Sequence, residues 1–125
     1  MTRDEVFAYC EDTYGTIPDY PWADDNAVLR HEGNQKWYGV VLYVRKDRLG
    51  LIGEEYIYVI NVKCDPFLID SMLHEKGFHR AYHMNKEKWI TARLDGSAED
   101  EKIKMLIDMS FELTVNKTRV RKKAR

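Results

Sequence analysis

The sequence predicts an α+β fold, a single antiparallel sheet with helices packed on one face. Three observations predict it. Strand-like runs follow one another through short turns between residues 27 and 63, and short connections mean antiparallel neighbours, because parallel strands need a long crossover. Capped helical stretches stand before, after and beyond those strands, without regular β-α-β alternation. Finally, 125 residues with 44% apolar side chains suffice for one core, since a chain of this size buries roughly two-thirds of its unfolded surface.

The elements follow in order. Thr2-Arg3-Asp4-Glu5 has the form of a capping box, so a short helix is expected to about Tyr14, with Val6, Tyr9, Cys10 and Thr13 along one side. Gly15 ends it, and Pro18 to Trp22 is an extended connector that its two prolines keep from being helical. Ala27 to His31 is a short strand, and Glu32-Gly33-Asn34 supplies turn chemistry. Lys36 to Arg45 is apolar on both alternating faces, as an interior strand must be. Lys46 to Gly50 turns the chain into a third strand, Glu55 to Lys63. Asp65-Pro66 caps and opens a helix whose inner stripe is Ile69, Met72 and Leu73, and Gly77 stops it. Phe78 to Asn85 is another strand or an ordered loop. Trp89 to Leu94 is a strand, Asp95-Gly96 a turn, and Ser97 the cap of the last helix, with Ile103, Leu106, Ile107, Ser110 or Phe111, and Thr114 on its buried face.

The net charge of −1 conceals an asymmetry. Residues 117–125 carry six basic side chains, so the preceding domain, residues 1–116, keeps 14 basic groups against 21 acidic ones, a net of −7. Such a tail neutralises phosphates and favours nucleic acid, or it is simply a solvated end. No apolar run approaches the ~20 residues of a membrane-spanning helix, and the first residues lack the layout of a signal peptide. Cys10 and Cys64 have no paired spacing and read as reduced thiols. A cytoplasmic protein without a membrane partner is expected.

Two polar-aromatic clusters stand out. One is Arg30, His31, Asn34, Lys36 and Trp37; the other is Tyr82, His83, Asn85, Lys86, Lys88 and Trp89. Between them Asn61-Val62-Lys63-Cys64-Asp65-Pro66 joins a strand to a capped helix, and all three pieces are expected to meet at one sheet edge. The lysines and arginines suit phosphate oxygens, while the tryptophans and Tyr82 offer faces for stacking. The competing reading places Trp37 and Trp89 in the core with lysine stems laid over them. No metal or cofactor is expected, because His79 and His83, four apart, would serve as paired ligands only on a helix. His31 and His83 read instead as hydrogen-bonding members of a partly buried polar network. Cys64 beside a helix start has a place where a thiol is activated, with His31 or His83 as its base, but a small buried residue under the helix is the simpler reading. No catalytic residue is assigned.

In these residues the chain resembles the MmcQ/YjbR-like family of small bacterial proteins. The resemblance runs through Tyr20-Pro21-Trp22, Arg30-His31 with Asn34, Lys36 and Trp37, Asn61 to Pro66, Tyr82 to Lys86, Trp89-Ile90-Thr91, Leu94 to Ser97, and Leu106-Ile107-Asp108 with Ser110. It implies a two-layer α+β sandwich like those of secretion chaperones and frataxin-like proteins, and DNA binding through wing-like elements. The chain departs from the family where Arg80-Ala81 replaces Pro-Gly, where Lys88 replaces a histidine, and where Gly39 replaces alanine. The expectation is therefore a non-enzymatic binding protein with DNA as partner, contacting it through Arg30, Lys36, Lys63, Lys86 and Lys88 with Trp37, Tyr82 and Trp89. A small-molecule ligand or weak catalysis at the same edge, using His83, Lys86 and Cys64, is the alternative, and a chaperone-like interaction module is a third.

Overall fold

The protein is described by a computed structural model covering residues 1–115. The expected basic tail, 117–125, lies outside the described residues. The described chain runs α1 (Arg3–Tyr14), β1 (Ala27–Arg30), β2 (Trp37–Arg45), a 3-10 turn (Lys46–Leu49), β3 (Tyr56–Lys63), α2 (Pro66–Leu73), β4 (Phe78–Arg80), β5 (Trp89–Arg93) and α3 (Asp100–Thr114). The strands form one sheet in the order β1-β2-β3-β5-β4, every pair antiparallel. This is the predicted α+β architecture.

The core lies between the sheet and the helices. Leu29, Val41, Ile60, Val62 and Ala92 share one sheet face and pack with Val6 and Cys10 of α1 and Ile103, Leu106 and Ile107 of α3. Ile69 and Met72 bring α2 into the same cluster beside β4. The α1 capping box forms as expected: the Thr2 hydroxyl accepts from the Glu5 amide at 3.2 Å and the Glu5 carboxylate from the Thr2 amide at 2.8 Å. Its apolar stripe is narrower than predicted, since Thr13 is exposed and Tyr9 is half-buried. Tyr9 and Tyr14 instead donate their hydroxyls to Asp108 of α3, at 2.9 and 2.5 Å.

Two helix ends differ from expectation. α3 begins at Asp100 behind Glu99, not behind Ser97. The Ser97 hydroxyl is already committed to Asp95 at 2.5 Å, so it is unavailable as a cap. α2 stops at Leu73, where the His74 amide closes a tight last turn on the Ser71 and Met72 carbonyls. Gly77 comes later, at φ 89°, in the turn to β4. A Cβ there would stand 2.6 Å from the backbone of Ala98, so only glycine fits.

One irregularity sets the geometry of the sheet end. The β1–β2 register steps from Leu29–Gly39 to Arg30–Trp37, leaving Tyr38 as an extra residue, a β-bulge. Tyr38 is fully buried, and its hydroxyl reaches Thr16 at 2.6 Å. Ser110 of α3 fills the opening between β2 and β3: its hydroxyl accepts from the Lys63 amide at 2.9 Å and donates to the Tyr38 carbonyl at 2.5 Å. A single helix hydroxyl thus satisfies two buried backbone groups that the ladder leaves unpaired.

Candidate binding surface at the sheet end

Cross-strand partners share a face, and the register decides which one. The row Val28–Val40–Asn61–Thr91 lies on the face turned away from the helices. Two residues further along β1, β3 and β5, and three along β2 because of the bulge at Tyr38, stand Arg30 paired with Trp37 and Lys63 paired with Trp89. The two pairs therefore end the sheet together, on the face opposite the helices, with the tryptophans two strands apart, about 10 Å. Both indoles are half-buried. The Arg30 guanidinium lies 5.5 Å over Trp37, and its Nε donates to Asp19 at 3.0 Å. Trp22, 42% exposed, meets Trp37 edge-on at 6.0 Å.

The first cluster divides. Lys36 is exposed, but His31 and Asn34 are turned into the end of α3. The Asn34 amide donates to the Thr114 carbonyl at 3.0 Å while its oxygen accepts from the Lys36 amide at 2.9 Å. His31 is 6% exposed, packs against Phe111 at 4.2 Å and lies 2.7 Å from the Thr114 hydroxyl. That hydroxyl gives its proton to the Ser110 carbonyl, so it receives one from His31 Nε2. Asn34 thus takes up the Thr114 carbonyl, one of the groups every helix end leaves unpaired, and His31 holds the Thr114 side chain beside it. Burial pushes the His31 imidazole below its usual range, against the raising effects of the Phe111 carbonyl and Glu112, and Lys36 adds to the lowering.

The second cluster is held differently. Asn61 and Thr91, both fully buried, bond to each other through the Thr91 hydroxyl. Asn61 then donates to the Tyr82 carbonyl at 2.7 Å, and the Tyr82 amide donates to Thr91 at 2.9 Å. This closed triangle fastens the backbone of residue 82 to the sheet. Asn85 makes the following turn, accepting the Glu87 amide on its side chain and the Trp89 amide on its carbonyl, at 2.8 and 2.9 Å. The Lys88 carbonyl accepts from the Cys64 amide at 2.8 Å. With its backbone fixed, the loop leaves His83, Asn85, Lys86 and Lys88 exposed. His83 has φ 59° and stacks on Tyr82 at 3.9 Å; it is not in the buried network expected for it.

Cys64 is buried, and burial followed by the Asp65 charge pushes its thiol up to about 11. An inert packed thiol results. His79 lies in β4 and His83 in the loop, so their spacing of four has no helical meaning. No group of three or more His, Cys, Asp or Glu side chains among the described residues is placed to hold a metal ion.

Beside the β4 edge the same loop walls a cleft of about 810 Å³; His83 and Lys86, named for the small-molecule alternative, line it, and Cys64 does not. It gathers Arg48 from the 3-10 turn, His74 just past α2, His79 and Arg80 from β4, and His83 and Lys86 from the loop. The last four fall within eight residues of sequence, while Arg48 and His74 come from distant segments.

The YjbR family model matches residues 11–113. The chain belongs to the YjbR family. The Bacillus subtilis (strain 168) protein YyaQ is 40% identical over 116 residues, 91% of this chain and 98% of that protein. A crystal structure of a Pseudomonas syringae protein superposes with a TM-score of 0.89 at 39% identity, covering 92% of this chain and 100% of that one. A Deinococcus radiodurans protein shares the fold alone, with a TM-score of 0.71 at 21% identity over 94% of this chain and 80% of that one. Arg80 stands in the cleft wall and Lys88 is exposed at the sheet end. The described part is a small α+β domain, and none of its helices is long and apolar enough to cross a membrane.

Proposed function

We propose that this YjbR-family domain is a non-enzymatic nucleic-acid-binding protein whose contact surface is the helix-free end of the sheet. The observation that carries the reading is the register: Arg30–Trp37 and Lys63–Trp89 stand side by side on one face, and exposed Lys36, Lys86 and Lys88 lie on the two loops that flank them. Cationic heads take phosphate oxygens while indole and phenol faces take bases or sugar. A rigid backbone under these side chains lowers the entropy lost on binding. Because the rest of the domain is acidic, attraction is confined to this surface and competes with long-range repulsion.

Fluorescence anisotropy of the full chain with a labelled duplex tests the proposal. Binding is expected at low salt, about 50 mM, and log affinity should fall linearly with log salt. Deleting residues 117–125 should make that slope shallower, and Lys63→Ala and Lys88→Ala should each reduce it by about 1. No binding of duplex or single strand at low salt rejects the reading.

A further inference from the structure

The cleft beside β4 has a charge pattern unlike the rest of the domain. Arg48, Arg80 and Lys86 line it with three imidazoles, and Asp70 is the only carboxylate among the lining residues. The ion pairs among described residues all lie elsewhere and use none of these three cations. Like charges gathered in a concavity repel one another, and low-dielectric walls focus the resulting field outward. A bound anion removes that repulsion.

The imidazoles add directed donors to the charge. His74 Nδ1 lies 2.8 Å from the Asp70 carbonyl, an acceptor only, so its proton sits on Nδ1 and the ring orientation is fixed. His79 Nε2 is buried with no hydrogen-bond partner, a state that costs free energy. His83 is held at a left-handed φ of 59° against the Tyr82 ring, a conformation a non-glycine residue adopts at a cost. The residues carrying the orphaned nitrogen and the left-handed backbone both line the cleft.

Size and lining select the ligand class. A volume of about 810 Å³ falls within the roughly 300–1,000 Å³ of small-molecule sites. Three cations on exposed side chains exceed what a monocarboxylate needs but suit a phosphate dianion, which takes arginine forks and a lysine together. Leu49, Leu73 and the Tyr82–His83 stack give the cleft an apolar flank as well. We propose that this cleft binds a small phosphate-bearing anion through Arg48, Arg80 and Lys86, at a site that adjoins the nucleic-acid surface and shares Lys86 with it.

Titration calorimetry of the full chain tests this with three ligands: inorganic phosphate, glucose 6-phosphate and adenosine 5′-monophosphate. Saturable binding is expected for at least one. An ester tighter than inorganic phosphate assigns the site to a phosphomonoester, using the apolar flank; equal affinity assigns it to free phosphate. Arg80→Gln and Arg48→Gln, which remove no ion pair from the fold, should each weaken binding about tenfold or more, whereas Lys104→Ala on α3 should leave it unchanged. No heat from any of the three ligands, or affinity indifferent to both arginine substitutions, overturns the proposal.

Discussion

Two segments of this chain look alike on paper and live under opposite conditions. Residues 30–37 and 82–89 each carry a histidine, an asparagine, lysine and tryptophan. In the first, His31 and Asn34 close the end of α3 and are withdrawn from solvent. In the second, buried Asn61 and Thr91 do the fastening, so that His83, Asn85, Lys86 and Lys88 remain outside. Residue type alone therefore does not decide role. What decides it is whether the hydrogen bonds that hold the segment come from its own side chains or from the floor beneath it.

The strongest way to break the comparison is to remove the floor. Thr91→Val keeps shape but strips the hydroxyl from a buried triangle, leaving the Tyr82 amide and the Asn61 side-chain oxygen unpaired. We expect a loss of about 2–4 kcal/mol in urea unfolding, and loss of ligand binding in the cleft. A stability change below about 0.5 kcal/mol would mean that the triangle is incidental.

Exchanging the two histidines for alanine sharpens it. His31→Ala removes ring packing on Phe111 and the bond to Thr114, and should cost about 2–3 kcal/mol. His83→Ala should stay within about 0.5 kcal/mol. Equal costs would erase the distinction between the segments.

Proton uptake provides a third test. Burial holds His31 below its ordinary range, and His79 is lowered by burial first and then by Arg93, with Asp95 opposing. The unfolded chain takes up these protons near pH 6.5 while the folded chain resists. The contribution is thus absent above that pH, and stability falls as pH drops below it. The difference in unfolding free energy between about pH 7.5 and 5.5 should shrink in His31→Gln; an unchanged difference would remove His31 from the account. The smallest effect is expected at His83→Gly, which relieves the left-handed backbone and should raise stability by about 0.5 kcal/mol. Lower stability would show that the ring's stack on Tyr82 outweighs the strain.

The fold was legible where a local rule suffices: the capping box at Thr2, Asp65-Pro66 ahead of α2, and the two apolar faces of β2. It failed at Ser97 because a nearby carboxylate took the hydroxyl, and at Gly77 because the helix tightened and stopped earlier. The shared sheet end was legible too, since strand ends in short antiparallel connections gather by necessity. That His31 joins a buried polar network was legible as well, but its partner was not, because Thr114 is 83 residues away. The cleft was legible only in part: His83 and Lys86 were singled out, but Arg48 and His74 reach it through tertiary packing.

The most direct test of the central claim is a backbone and indole amide NMR titration of the full chain with a short duplex at low salt. Shifts are predicted at Lys63, across residues 82–89 and at the Trp37 and Trp89 indoles, with Ser110 to Thr114 unmoved. Shifts confined to α3 and the His31 turn, or none at all, would contradict it.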